Sequence, residues 1–260
     1  MLRTEIRNIL TSFEPIGLGE MDNVELMNRV ETKYVFSSAE LTTLLNHLSR
    51  SYRVLEIEDL SIFPYHTTYL DTSDYIFYMQ QIRGKLSRHK IRYRRYESSG
   101  ISYLEIKKKT NKDRTIKWRI ENRLITNLPD KDAALFIGEY LPEYLSDLRP
   151  VLINGFNRIT LVGIDCRERV TLDFDLVFSN PEGKKSEFPF LAIAELKREK
   201  YSCASPFLNV MKKIGIKPNG FSKYCVGSAL VNEMPRKNIL KYNLLLINKI
   251  ENEYIKSAGY

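Results

Sequence analysis

The stretch from His89 to Arg119, HKIRYRRYESSGISYLEIKKKTNKDRTIKWR, constrains the fold of this chain more than any other. Residues two apart share one face of a strand, so Lys90, Arg92 and Arg94 fall together, as do Tyr103, Glu105, Lys107 and Lys109 in the next segment. After a polar turn at Asn111 to Asp113, Thr115, Lys117 and Arg119 alternate with Ile116, Trp118 and Ile120. The charged and apolar faces stay separate throughout. Such a charged face is either the solvated side of an antiparallel sheet or the lining of a closed barrel, and in isolation the solvated side is the ordinary choice. The pattern recurs far away in the sequence. Arg29, Glu31 and Lys33 alternate with Val30, Thr32 and Tyr34. Arg158 sits in PVLINGFNRITLVG, Arg169, Thr171, Asp173 and Asp175 in ERVTLDFDLVF, and Glu195 and Lys197 in FLAIAELKRE. Recurrence in fixed order favours an enclosed charged lumen.

Inward charges require outward apolar residues, and outward apolar residues require cover. Ile91, Tyr93, Leu104, Ile106, Ile116, Trp118, Leu172 and Leu196 are the outward set. Helices are available to cover them. Ser37 or Ser38 caps one, with Glu40 in its first turn and Leu41, Leu44, Leu45 and Leu48 at helical spacing. Asp130 caps another through Ala133, Leu135, Ile137 and Tyr140, ending near Pro142. Pro206 to Ile214 makes a short one that stops at Gly215, and the tail from Ala229 is helical with an interruption at Pro235. The expected architecture is α+β: an eight-stranded antiparallel β-barrel padded by helices, which also removes exposed edges. One domain spans residues 1–260, with 1–20 a lead-in and 229–260 a helical tail.

The net charge of +8 and isoelectric point near 9.2 direct attention to anionic partners: nucleic acid, phosphate compounds or acidic membranes. Cys166, Cys203 and Cys225 have neither paired nor zinc-type spacing, which suits a reducing compartment. MLRTEIRNIL lacks an apolar signal core, and no segment approaches the roughly 20 apolar residues of a membrane helix. A cytoplasmic location and no membrane segment are expected.

An inward charged face would gather Arg29, Lys33, Lys90, Arg92, Arg94, Lys107, Lys117, Arg158, Arg169 and Lys223 in one bore. Uncompensated cations in a partly desolvated channel cost several kcal/mol by order of magnitude, so carboxylates, water or bound anions must offset them. Phosphates suit best, because arginine forks grip two oxygens at once and lysines act as compact point charges. Nucleic acid is not expected: Tyr93 and Tyr96 lie among arginines, but strand parity turns Tyr93 away from them and weakens base stacking. Glu31, Glu105 and Glu195 share the charged faces, where hard carboxylate oxygens either hold Mn²⁺ or Mg²⁺ beside phosphate or pair with neighbouring lysines and arginines. Phosphoryl transfer needs only positioning and charge neutralisation, and no nucleophilic triad is visible.

The ordered set RVETKY at 29–34, YLDT at 69–72, KIRYRRY at 90–96, LEIKKKT at 104–110, FNR at 156–158, RVTLD at 169–173, AELK at 194–197 and FSKY at 221–224 resembles the VTC domain family. That family is the polyphosphate polymerase branch of the triphosphate tunnel metalloenzymes. The resemblance spans about residues 20 to 228 and rests on the order of eight motifs. It implies an eight-stranded antiparallel tunnel in which Lys33, Arg92, Arg94, Lys107, Arg158 and Lys223 bind phosphates. Arg29 and either Arg114 or Lys117 would assist, parity favouring Lys117, and Glu195 would hold the metal. It also implies a polymerase that extends polyphosphate from the terminal phosphate of ATP, with tripolyphosphate or nucleoside triphosphate hydrolysis as an alternative of the same fold. The basic isoelectric point and the tyrosines among arginines keep a non-catalytic binder of polyphosphate or nucleic acid as a further alternative. Tunnel hydrolases usually begin with two alternating glutamates before the lysine, whereas Arg29 and Glu31 stand there in this chain. Room remains for a membrane partner that exports product.

Overall fold

The computed structural model describes residues 2–22, 29–112, 114–123, 129–199 and 204–257. Its strands are β1 (Glu14–Ile16), β2 (Arg29–Ser37), β3 (Tyr52–Leu55), β4 (Phe63–Asp71), β5 (Arg88–Tyr96), β6 (Ser102–Lys109), β7 (Thr115–Glu121), β8 (Arg149–Gly163), β9 (Glu168–Ser179), β10 (Lys185–Phe188) and β11 (Leu191–Glu199). Its helices are α1 (Leu2–Leu10), α2 (Leu18–Asp22), α3 (Glu40–Leu48), α4 (Ile76–Ile82), α5 (Lys131–Tyr140), α6 (Pro206–Lys213), α7 (Lys223–Val231) and α8 (Lys241–Ser257). Cys203 lies outside the described residues, as does the side chain of Arg29.

Eight strands form one antiparallel path in the order β2-β11-β9-β8-β4-β5-β6-β7. This is the expected α+β sheet, with short β1, β3 and β10 added at its margins. Among the described residues no ladder joins β2 to β7, so hydrogen bonds do not close the barrel. The sheet curls instead. Lys33 of β2 donates to the Phe221 carbonyl at 3.4 Å and Lys90 of β5 to the adjacent Ser222 hydroxyl at 3.4 Å, although the two strands stand five places apart along the path.

The convex face is apolar and lies under helices, as the alternation requires. Ile91, Tyr93, Leu104 and Ile106 are buried with Ala133 and Ile137 of α5, and Trp118 packs against them. Leu172 and Leu196 are buried with the four leucines of α3 and with Phe207 and Met211 of α6. Ile116 departs from the expectation: it is 41% exposed, because β7 is an edge strand that α5 covers only further along. Of the two caps expected, the one at Asp130 is met and the one at Ser37 or Ser38 is not, while α6 has a cap that the sequence reading did not name. Asp130 accepts from the Ala133 amide at 2.8 Å and Ser205 from the Leu208 amide at 3.2 Å, but α3 has no side-chain cap. There Ser38 donates its hydroxyl to the Pro189 carbonyl at 2.8 Å, tying the helix entry to the chain before β11. The helical tail begins earlier than expected, at Lys223, with Pro235 in the break between α7 and α8.

The concave face changes character along its strands. At Asp175 the backbone takes a left-handed φ of 51°, and the β8–β9 register slips between Gly155 and Asn157. Such a bulge inverts parity beyond it. Asp173 therefore stays beside Arg158, while Leu176 and Phe178 join Leu152 and Phe156 in an apolar cluster beneath α7 and α8. Gly227 lets α7 approach closely: a Cβ there would stand 2.4 Å from Phe178 Cδ1 and 3.0 Å from Leu152 Cδ2. One part of the concavity is thus filled by helix, and the other is left to the charges.

Candidate active site

The charged part is built around three carboxylates, each held by two cations. Asp173, 3% exposed, accepts from Arg158 Nε at 2.6 Å and Nη2 at 2.8 Å, and from Lys223. Glu105, with no exposed surface, sits between Arg92, 2.6 Å away, and Lys117. Glu195 pairs with Lys197 at 2.8 Å and more loosely with Lys33 at 3.6 Å. Six cations are therefore shared among three anions, and among the described residues three further cations form no ion pair with a carboxylate: Lys90, whose ammonium donates to the Ser222 hydroxyl, Arg94 and Lys107. No ion pair joins Arg94 or Lys107 to a carboxylate among the described residues, and the buried Nε of Arg94 lacks a hydrogen-bond partner. Lys107 stands in register between Lys90 and Lys117.

Aromatic rings form the floor on which these cations converge. The Arg158 and Arg94 guanidiniums lie 5.0 and 5.6 Å from the centre of the Tyr65 ring, and Lys223 Nζ lies 4.4 Å from the centre of Phe156. Tyr65 and Phe156 stack at 5.4 Å, presenting one continuous π surface to three positive charges.

Lys223 is aimed by α7, whose entry is fixed from two directions. Ser222 accepts from the Cys225 amide as the helix cap, so the positive end of the helix dipole faces the charged cluster. Tyr224 donates to the fully buried carboxylate of Asp71, which also accepts the amides of Thr72, Phe77 and Tyr78 at 2.8–2.9 Å. Asp71 thereby joins β4, the start of α4 and the residue next to Lys223.

The electrostatics describe a site short of negative charge. The charge of Arg92, then burial, then Arg94 push the Lys107 ammonium down to about 6. Burial above all, with Lys33 and Arg92 adding, brings Lys90 to about 8. Burial and the neighbouring Arg92 and Arg158 also lower Arg94. Burial opposes ionisation of the carboxylates, but their cations outweigh it: Glu105 and Asp173 are each held at about 2, and Glu195 well below the usual range by Lys197 and Lys33. All three remain anionic at neutral pH.

The structure brings together Lys33, Lys90, Arg92, Arg94, Lys107, Lys117 and Arg158 as the alternation requires, and Lys223 joins them from the start of α7. Lys117, and not Arg114, joins the cluster; Arg114 is exposed in the turn before β7, where its carbonyl accepts the Thr110 amide at 2.8 Å. Arg169 keeps concave parity but stands opposite Lys197 and Val162, two residues beyond the Thr171 position and away from Asp173. Glu31 is exposed and stands opposite Lys197. The three glutamates singled out from sequence do not gather, and among the described residues no three acidic, histidine or cysteine side chains form a metal-holding group. Glu105 is enclosed by its two cations. Glu195 is the better donor for a divalent ion shared with phosphate: its side chain is 21% exposed and firmly ionised, and Mg²⁺-type ions commonly take one or two carboxylates and complete their shell with phosphate and water. Sequence reasoning passed over Asp173 and Lys197 as counter-ions and Tyr65 and Phe156 as the floor. Parity placed Asp173 with Arg169 and Thr171, and Phe156 lies two residues from Arg158, so both signals were present.

Residues 28–232 match the VTC domain family. No curated protein matches the chain. Similar solved structures include a candidate adenylate cyclase from Vibrio parahaemolyticus, at 13% identity and TM-score 0.47 over 78% of this chain and 99% of that one. HpAC1 from Hippeastrum, described as an adenylyl cyclase candidate with a dominant triphosphatase activity, has 15% identity and TM-score 0.47 over 80% and 98%. PH1819 from Pyrococcus horikoshii OT3 has 12% identity and TM-score 0.43 over 76% and 97%. No described helix is long and apolar enough to cross a membrane.

Proposed function

The chain belongs to the VTC domain family, and on that premise we propose that it is a metal-dependent polyphosphate polymerase, transferring the terminal phosphate of ATP to a growing chain in its concave basic site. The observation that carries the reading is the set of three cations with no ion-paired carboxylate among the described residues, Lys90, Arg94 and Lys107, lying among cations already shared with Glu105 and Asp173. A row of phosphates supplies the missing negative charge along a line of cations; a single small anion does not.

In this reading Arg158 and Lys223 hold phosphoryl oxygens from the Phe156 side, and Arg92 and Arg94 from the β5 side. Lys107 becomes fully charged as phosphate arrives, because the repulsion that lowers it is then offset. Lys33 and Lys197 share the phosphate and the Glu195 carboxylate. A Mn²⁺ or Mg²⁺ ion carried in with the substrate and held by Glu195 would neutralise phosphate charge and align its oxygens. The protein's own work is positioning and charge neutralisation, which phosphoryl transfer chiefly requires.

Incubating the chain with ATP and Mn²⁺ tests this directly. Growth of long polyphosphate, abolished by Glu195→Gln while tripolyphosphate still binds, supports the polymerase. Release of phosphate without chain growth makes the protein a triphosphate hydrolase, and neither product under varied metal and primer reduces it to a polyanion binder.

A further inference from the structure

The convex face is not covered everywhere. His66 and Thr68 of β4, Tyr93 and Arg95 of β5, Ser102 of β6 and the nearby Arg123 line a cavity of about 350 Å³. These β4 and β5 residues alternate with the inward Thr67 and Arg94, so the cavity lies on the opposite side of the sheet from the charged cluster.

One of its side chains is a buried donor without a partner, and a second lines the same space. Tyr93 is 4% exposed, yet its hydroxyl has no hydrogen-bond partner. Burial, reinforced by the Asp130 charge, raises this phenol, so it stays protonated and able to donate. Ser102 is 8% exposed and lines the same space. A buried hydroxyl without a partner is an unrecovered desolvation cost, and native structures seldom leave one without a reason. Above this floor stand two guanidiniums against one carboxylate. Arg95 Nε pairs with Glu97 at 3.3 Å, and among the described residues no ion pair joins the exposed Arg123 to a carboxylate, so guanidinium N–H groups of both can meet an incoming anion.

We propose that this convex cavity binds a small organic phosphate. Its phosphate group is held by Arg95 and Arg123 and accepts hydrogen bonds from the Tyr93 and Ser102 hydroxyls, while Ile153 and the Tyr93 ring face its organic part. Donors placed both at the floor and at the rim match a tetrahedral group with three free oxygens better than a planar carboxylate. The volume exceeds what inorganic phosphate fills and falls within the roughly 300–1,000 Å³ of small-molecule sites. The inference is independent of what the concave face does.

AMP is a suitable probe, used in isothermal titration with the full chain and its variants. A binding event is expected that Tyr93→Phe and Arg123→Gln each weaken by about tenfold or more, and that Lys107→Ala, on the concave side, leaves within about twofold. Without AMP, Tyr93→Phe is expected to melt no lower than the wild type, since it deletes an unpartnered hydroxyl. The proposal is overturned if AMP does not bind, if both convex variants bind it as the wild type does, if binding is lost with Lys107→Ala instead, or if Tyr93→Phe lowers the melting point of the free protein.

Discussion

Replacing Asp173 by asparagine keeps the shape of the site and removes the charge that Arg158 and Lys223 share. The folded-state carboxyl lies at about 2 against an ordinary value of 3.8. The difference, 3.8 − 2 = 1.8, corresponds to about 2 kcal/mol of stability at neutral pH at 1.36 kcal/mol per unit. The folded value is depressed, so this contribution is fully present above pH 3.8 and disappears as pH falls through about 2. Two cations left without their counter-ion add to the loss, since breaking a buried pair commonly costs about 3–5 kcal/mol. For a chain of this size about 2 kcal/mol is a fall of roughly 4–8 °C in melting temperature. The distinguishing outcome is what a polyanion does. Tripolyphosphate supplies the missing charge and no longer competes with Asp173 for Arg158 and Lys223, so it should bind Asp173→Asn more tightly than the wild type and recover most of the lost stability. Denaturant unfolding at pH 7, with and without tripolyphosphate, measures both quantities. A loss below about 1 kcal/mol, or a smaller tripolyphosphate stabilisation in the variant than in the wild type, refutes the reasoning.

Further outcomes follow from the same geometry. Because Lys107 and Lys90 are depressed to about 6 and about 8, tripolyphosphate binding at pH 8 should take up protons, and titration in buffers of different ionisation enthalpy should show net uptake; zero uptake or release contradicts the charge deficit. The same depression makes the free protein gain stability from these lysines as pH rises above about 6, because the unfolded chain then holds more protons than the folded one. Gly227→Ala should destabilise by about 1–3 kcal/mol through overpacking against Phe178 and Leu152, read as a lower denaturation midpoint with unchanged slope. Tyr224→Phe deletes the hydroxyl that meets Asp71 while keeping the ring that stacks on Tyr69 at 5.0 Å. It should cost about 1–3 kcal/mol and weaken tripolyphosphate binding, because α7 then holds Lys223 less firmly; unchanged binding would show that Asp71 does not position it.

Much of this arrangement was legible in strand parity. A two-residue period that keeps Lys90, Arg92 and Arg94 on one side and Ile91 and Tyr93 on the other carries its meaning in the sequence, and once the pattern recurs in β8, β9 and β11 a shared face follows. The number of strands on the main path and the helices over the convex face were legible for the same reason. Parity fails where the backbone leaves the regular strand. The left-handed Asp175 turns Leu176 and Phe178 inward, and nothing in LDFDLVF announces that aspartate as a bulge. The filling of one part of the concavity by α7 therefore could not be read, nor could the start of that helix at Lys223. Pairing partners were hidden for a different reason. Which carboxylate meets which cation depends on cross-strand register, so Glu105 beside Lys107 in sequence pairs with Arg92 and Lys117 in space. The convex cavity was invisible because it joins side chains from four strands and a loop.

The central claim is that the concave cations receive a row of phosphates, and a crystal structure of the chain with a non-hydrolysable triphosphate tests it most directly. The account expects phosphate oxygens within hydrogen-bonding distance of Arg94, Lys107, Arg158 and Lys223 on the side of Tyr65 and Phe156. A triphosphate bound on the outer surface, with that cluster still paired as in the free protein, would contradict it.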